Sequence, residues 1–201
     1  MTDSVASMFE KSGAVLQGHF LLASGLHSPV YWEKFQVMQY PEYTERLCRV
    51  IADHFRKQGI QVVAGPTTGG IILAYEVARQ LGVRGIFAEK DPSQGKDGGR
   101  VFRRGFRIEP GERVLIVDDI FTKGGSIREV IDAVKKLEGN VVGIGVLVDR
   151  SPEKIDFGIP FFSCHRAEVV AYPPEKCPLC ARGIPLVKPG SPSQVKDKQS
   201  G

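Results

Sequence analysis

One stretch constrains this chain more than any other: Val114-Leu-Ile-Val-Asp-Asp-Ile-Phe-Thr-Lys-Gly-Gly-Ser126. Val114 to Val117 read as a strand buried on both faces, and they run straight into two adjacent carboxylates, Asp118 and Asp119. A short loop of small and hydroxyl residues follows, with Thr122, Gly124, Gly125 and Ser126. A helical pattern starts at Ile127 and places Val130, Ile131, Val134 and Leu137 on one apolar face. Such a loop leaves backbone N–H groups unpaired at a helix N-terminus, where a phosphate can settle. The carboxylates have the wrong sign for phosphate, so they suit another part of the same ligand, either vicinal sugar hydroxyls or a divalent cation. The ligand these residues imply is a phosphorylated sugar. The bland alternative is an ordinary strand-to-helix turn with two capping or solvated acids.

The flanking sequence supplies a frame for that turn. A short amphipathic helix is expected up to about residue 15, with Val5, Met8 and Phe9 buried. Two short strands, 19–25 and 30–33, are expected around a turn at His27-Ser28-Pro29. A helix over 41–58 has proline in its first turn and Gly59 past its end. Then strand and helix alternate: strand 61–64, helix 70–81, strand 85–89, a polar gap, the Val114 strand and its helix, and a strand over 141–148. This is an α/β pattern with a mainly parallel sheet flanked by helices, and ligands bind such sheets beyond the carboxyl ends of the strands. The chain divides into an N-terminal helix and hood over 1–40, an α/β core over 41–170, and a tail over 171–201. From Pro189 onward the tail is poor in apolar residues and is expected to be disordered. Within the core, 90–100 is rich in turn formers and reads as a mobile loop, either a lid or a passive hairpin tip.

Composition excludes several classes. A chain of 201 residues, 42% hydrophobic and 25% charged, suits one soluble domain. It has no apolar run long enough to cross a bilayer, and its N-terminus lacks a secretory signal, so a cytoplasmic protein without membrane partners is expected. A net charge of +4 accommodates anionic substrates and is too small to argue for nucleic acid. Arg100, Arg103, Arg104 and Arg107 form the one basic cluster of the core.

Strand, Asp-Asp, two residues, then Thr-x-Gly-Gly-Ser resembles the phosphoribosyl pyrophosphate (PRPP) loop of the type I phosphoribosyltransferases. Over about residues 10–170 the layout resembles the orotate phosphoribosyltransferases, in a shorter-looped bacterial and archaeal branch. Three further segments carry this likeness: Ser24-Gly-Leu-His-Ser-Pro-Val-Tyr-Trp32, Gly65-Pro-Thr-Thr-Gly-Gly70 and Leu147-Val-Asp-Arg150. The resemblance implies the type I fold with a small N-terminal hood, and a homodimer with shared active sites. It implies transfer of the phosphoribosyl group from PRPP to N1 of orotate, with Mg²⁺ as cofactor.

By the same resemblance, PRPP contacts fall to Asp118, Asp119, Thr122, Lys123, Gly124, Gly125 and Ser126, to Thr67, Thr68 and Gly69 of the pyrophosphate loop, and to Lys90 and Lys96. Mg²⁺ would be held mainly through PRPP. Orotate falls to Tyr31, Trp32, Thr122 and Arg150. A fixed guanidinium is a natural partner for the orotate carboxylate, and the aromatic pair could stack on a planar base. Lys90 and Asp119 are the catalytic candidates, with Lys96 and Arg104 behind Lys90. The chain departs from the family where many members carry lysine: it has Gly69 in the pyrophosphate loop and Ala23 before the first Ser-Gly. Its mobile loop begins Glu89-Lys90 and has no histidine. The rival readings are a purine-type enzyme acting on adenine or xanthine, and a non-catalytic PRPP-sensing regulator, a class that normally adds a DNA-binding module or a strongly basic face; no helix-turn-helix is expected in the few residues before the fold starts.

Cys177-Pro-Leu-Cys180 has metal-ligand spacing, and Cys164-His165 lies upstream. There is no second Cys-x-x-Cys, and neighbours on a strand point apart, so a reduced, packed turn is the expectation and zinc the alternative. A disulfide is not expected in a cytoplasmic protein. Cys48 reads as a small core residue.

Overall fold

Why the site lies where it does follows from how the chain winds its sheet. A computed structural model describes residues 4–94, 98–153, 155–168 and 170–189. α1 (Val5–Lys11) is capped by Ser4, whose hydroxyl accepts from Ser7 N, and it buries Met8 and Phe9. β1 (Val15–Leu21) and β2 (His27–Trp32) pair antiparallel as a two-stranded hood. The turn between them is at 22–26, closed by Leu22 N to Leu26 O at 2.8 Å with Gly25 at φ +83°. This corrects the expected turn at His27-Ser28-Pro29, which lies inside β2. Only Gly25 can take the positive φ at low cost, and Pro29 is tolerated in a strand with a free edge.

α2 (Lys34–Met38), capped by the Glu33 carboxylate, was not anticipated. α3 (Pro41–Phe55) starts with proline in its first turn and buries Leu47, Cys48, Ile51, Ala52 and Phe55. A 3₁₀ turn (Arg56–Gln58) and Gly59, left-handed at φ +62°, end it.

Six strands build the main sheet. In chain order come β3 (Val62–Pro66), α4 (Gly69–Leu81), β4 (Arg84–Lys90), β5 (Arg100–Phe102), β6 (Arg113–Phe121), α5 (Gly125–Lys136), β7 (Asn140–Asp149) and β8 (Phe161–Arg166). The order across the sheet is β5-β4-β3-β6-β7-β8, all parallel except β5. This is the α/β architecture expected, a mostly parallel sheet with helices on both faces. β5 and β8 went unpredicted. β5 is three residues long, and β8 mixes Phe161 and Phe162 with Ser163, His165 and Arg166, leaving no clean alternation to read.

From β3 the chain moves to β4 on one side, and from β6 it moves to β7 on the other. The helices that follow them, α4 and α5, pack into separate hydrophobic cores on opposite faces. β3 and β6 are neighbours, so their carboxyl ends flank the crevice where such sheets bind ligands. β6 also runs further than expected, through both acids to Phe121. Leu137, expected on the buried face of α5, is instead the exposed residue that ends it.

The tail does not trail away from the hood. Val187 bridges Phe20, and Tyr172 bridges His27. Between them lies α6 (Pro178–Ala181). The end of the tail, 190–201, lies outside the described residues. Among the described residues no helix is long and apolar enough to cross a membrane.

Candidate active site

Strand alternation sends the two acids of β6 to opposite faces. Asp118 is buried and turned towards the loop before α5: its Oδ2 accepts from Ser126 Oγ at 2.7 Å and its Oδ1 from Asp119 N at 2.9 Å. Desolvation, helped by the neighbouring Asp119 charge, pushes its pKa up to about 6, against the lowering effect of those two hydrogen bonds. Asp119 faces the other way. Its Oδ1 accepts from Ile120 N at 2.6 Å and from Lys34 Nζ at 3.0 Å. The same ammonium lies 2.8 Å from Oδ2, out of line for a hydrogen bond.

Opposite Asp119, at the end of β3, is the loop Thr67-Thr68-Gly69. The Thr67–Thr68 peptide is cis. A Cβ on Gly69 would run into Asp119 Oδ2, so glycine here, where many members of the resembled family carry lysine, is what lets the carboxylate approach so closely. Arg100 braces the loop from β5. It is buried and donates to Thr67 Oγ1 at 2.9 Å, Ala88 O at 3.0 Å and Thr67 O at 3.3 Å, with Glu129 of α5 at 3.1 Å.

Beyond β6, Thr122 and Lys123 are exposed, and Gly124 takes φ +75° as the residue before α5. A Cβ there would come within 2.9 Å of both Phe121 and Phe157, whereas Gly125 faces open space. The first-turn N–H groups of α5 have no helical acceptor. Arg128 secures the loop by donating to Lys123 O at 2.9 Å.

At the end of β7, Arg150 is held by its backbone N–H on Phe121 O at 2.8 Å. Its side chain is buried, and Nε has no hydrogen-bond partner among the described residues. Burial lowers the guanidinium pKa, and Tyr31 opposes that shift. The Tyr31 hydroxyl is raised chiefly by its own burial, with Arg150, Lys34 and Asp119 close enough to act on it. The expected aromatic pair is therefore split. Tyr31 shares its surroundings with Arg150 and Asp119, while Trp32 packs on Phe9 and His165 at ring-centroid distances of 5.2 and 5.6 Å.

Lys90 closes β4 and is engaged by Glu129 Oε1 at 2.7 Å and Gly98 O at 3.2 Å. Arg104, the reserve candidate, forks onto Glu89 at 2.8 and 3.0 Å. Lys96 lies outside the described residues. The stem of that loop is a narrow hairpin, with Asp91 N bonded to Gly99 O at 2.9 Å. Sequence reasoning missed two residues here. Lys34 carries no local signal, because its role depends on the hood folding over β6. Arg100 was visible only as one member of a basic cluster.

The arrangement offers an anion cradle at α5, two divergent carboxylates, a second loop across the crevice and a buried guanidinium a strand away. Comparisons with known proteins show the family of the chain. The phosphoribosyl transferase domain family matches residues 37–167. The chain is 54% identical to an orotate phosphoribosyltransferase of Pelotomaculum thermopropionicum, over 94% of this chain and 97% of that one. It is 52% identical to an orotate phosphoribosyltransferase of Caldanaerobacter subterraneus subsp. tengcongensis over the same shares. Among solved structures it is similar to the orotate phosphoribosyltransferase of Aeropyrum pernix, at 25% identity and TM-score 0.69, covering 81% of this chain and 93% of that one.

Proposed function

This chain belongs to the orotate phosphoribosyltransferases, and we propose that it transfers the 5-phosphoribosyl group of PRPP to N1 of orotate, giving orotidine 5′-monophosphate and pyrophosphate. The observation that carries the base assignment is Arg150, a buried cation whose Nε has no hydrogen-bond acceptor among the described residues, set beside Tyr31 at the crevice. Desolvating a guanidinium costs free energy unless an anion meets it. The orotate carboxylate is such an anion, and neutral adenine is not.

The steps follow from what each group can do. N–H groups at the start of α5, with Thr122, Lys123, Gly124, Gly125 and Ser126, would hold the 5′-phosphate. Asp118 and Asp119 would accept from the ribose hydroxyls, placing C1 between the two loops. Thr67, Thr68 and Gly69 would face the pyrophosphate, braced by Arg100. The nitrogen of an orotate anion needs little activation, so positioning it against a ribosyl centre of oxocarbenium character does most of the work. Lys90 would assist the leaving pyrophosphate, which requires release from Glu129, and Lys96 belongs to the same loop. Tyr31, Thr122 and Arg150 would orient the base. Trp32 would support Tyr31 through the hood.

Mg²⁺ fits the donor set, since the crevice offers carboxylate oxygens and a phosphate ligand supplies the rest. When bound, it would neutralise charge on the departing pyrophosphate. Asp119, whose Oδ2 makes no hydrogen bond among the described residues, would help to hold the ion. A cytoplasmic homodimer with shared sites belongs to the same proposal. An exposed apolar patch supports the dimer: Ile72 and Tyr75, the latter 69% exposed, line a groove with Met38, Pro41 and Ile71.

The test is a steady-state assay with PRPP and Mg²⁺ in which orotate, adenine and xanthine are offered separately and pyrophosphate release is followed. Only orotate should support turnover. Arg150→Ala should raise KM for orotate by roughly 10–100-fold, the worth of a charge-assisted pair, with a smaller change in kcat. Turnover on adenine or xanthine, or an unchanged KM in the variant, refutes the base assignment.

A further inference from the structure

Four side chains that nothing in the transfer reaction uses converge on the hood. We propose that His19, His27, Cys177 and Cys180 form a tetrahedral zinc site that fastens the C-terminal segment to the hood. Their ligand atoms all lie within 4.8 Å of one another. His19 Nε2 is 3.0 Å from His27 Nδ1, 3.5 Å from Cys177 Sγ and 3.7 Å from Cys180 Sγ, and His27 Nδ1 is 3.3 Å from Cys180 Sγ. With Zn–N near 2.0–2.1 Å and Zn–S near 2.3 Å, a regular tetrahedron puts its nitrogens about 3.4 Å apart and nitrogen about 3.6 Å from sulfur. These four of the six spacings come within about 0.4 Å of the edges of such a coordination shell.

Further observations point the same way. His19 Nδ1 lies 2.7 Å from Ile184 O. A carbonyl only accepts, so Nδ1 carries the proton and Nε2 presents its lone pair to the cluster, the second-shell arrangement of a metal-bound imidazole. His19, His27 and Cys177 are buried, with Cys180 at the rim. Two thiolates and two neutral imidazoles balance a divalent ion, so the buried site would be uncharged as a whole. Two nitrogen and two sulfur donors with no open position suit structural zinc, and differ from the oxygen donors that suit Mg²⁺.

The four ligands come from β1, β2 and α6 with the residue that precedes it, segments already laced together. Leu21 N donates to Val187 O at 2.9 Å and Val187 N to His19 O at 2.8 Å, while His27 and Tyr172 exchange two bonds of 2.8 Å. An ion there would lock the tail across both hood strands, four residues from Tyr31. The expectation of a merely packed turn overlooked the histidines because His19 lies 158 residues before Cys177 and His27 lies 153 before Cys180. The upstream pair it considered is elsewhere: Cys164 Sγ donates to Leu47 O, and His165 lies against Trp32.

The full chain, prepared without a histidine tag, is analysed for metal and studied by zinc-edge X-ray absorption. About one zinc per chain is expected, with a shell of two nitrogens and two sulfurs. After chelation, cobalt(II) should restore the visible bands of a tetrahedral ion together with a sulfur charge-transfer band. Cys177→Ser with Cys180→Ser should abolish both signals, and the wild-type cobalt spectrum decides the matter should that variant fail to fold. A metal-free chain that gives no such spectrum with cobalt, a shell of oxygens, or a Cys177–Cys180 disulfide in the native protein overturns the proposal.

Discussion

Asp119 lies between Lys34 and the bare Cα of Gly69, so its position depends on two residues that make no chemistry of their own. Replacing Gly69 by alanine would drive a methyl into Oδ2. The expected result is a KM for PRPP raised by roughly 10–100-fold, since displacing a positioning group by about 1 Å costs that much, with the fold still intact by circular dichroism. Asp118 predicts a pH dependence. Its folded-state pKa is raised to about 6, above that of the unfolded chain, so the fold favours its protonated form. The stability this contributes is complete below the unfolded value and is lost as pH rises through about 6. Binding runs the other way: a carboxylate accepts two ribose hydroxyls better than an acid does, so PRPP affinity should fall as pH drops through the same range. Calorimetric titrations between pH 5 and about 8 should show that inflection, and Asp118→Asn should remove it. At this scale the acid pair and the glycine loop were readable from chemistry and spacing, and Arg150 from the resemblance to the family. Lys34 and Arg100 were not, because their partners Asp119 and Thr67 are brought to them only by tertiary folding.

Elements are placed by contacts as close as those at the site. α3 lies directly on β7 because Gly143 and Gly145 present no side chains there: a Cβ on Gly143 would strike the Phe55 ring, and one on Gly145 would come within 2.6 Å of Ile51. Gly143→Val should therefore overpack this interface and lower stability by roughly 1–3 kcal/mol, measured as a reduced urea midpoint with an unchanged slope. The helices and central strands were legible because long periodic segments with proline and glycine stops describe them well. The hood was less so. Its turn depends on the left-handed Gly25, and histidine, serine and proline suggested a turn where the chain runs straight. The reach of β6 through Asp118 and Asp119 was hidden too, since two adjacent charges read as a loop until a sheet buries them.

For the whole molecule, the switch between β3 and β6 explains why the acid pair, the Thr67–Gly69 loop and the start of α5 gather at one end of the sheet. It also leaves Ile72 and Tyr75 of α4 facing outward beside that end. If this patch joins two copies, Tyr75→Glu should shift light-scattering mass towards the 22.0 kDa monomer and reduce turnover with it, whereas an unchanged dimer would place the interface elsewhere. The central claim is a single pose, and a crystal structure with orotidine 5′-monophosphate tests it most directly. The account predicts the phosphate on the N–H groups at the start of α5, the ribose hydroxyls at Asp118 and Asp119, and the base carboxylate on Arg150. A nucleotide bound with its phosphate away from Thr122–Ser126, or with its carboxylate on any other cation, would contradict it.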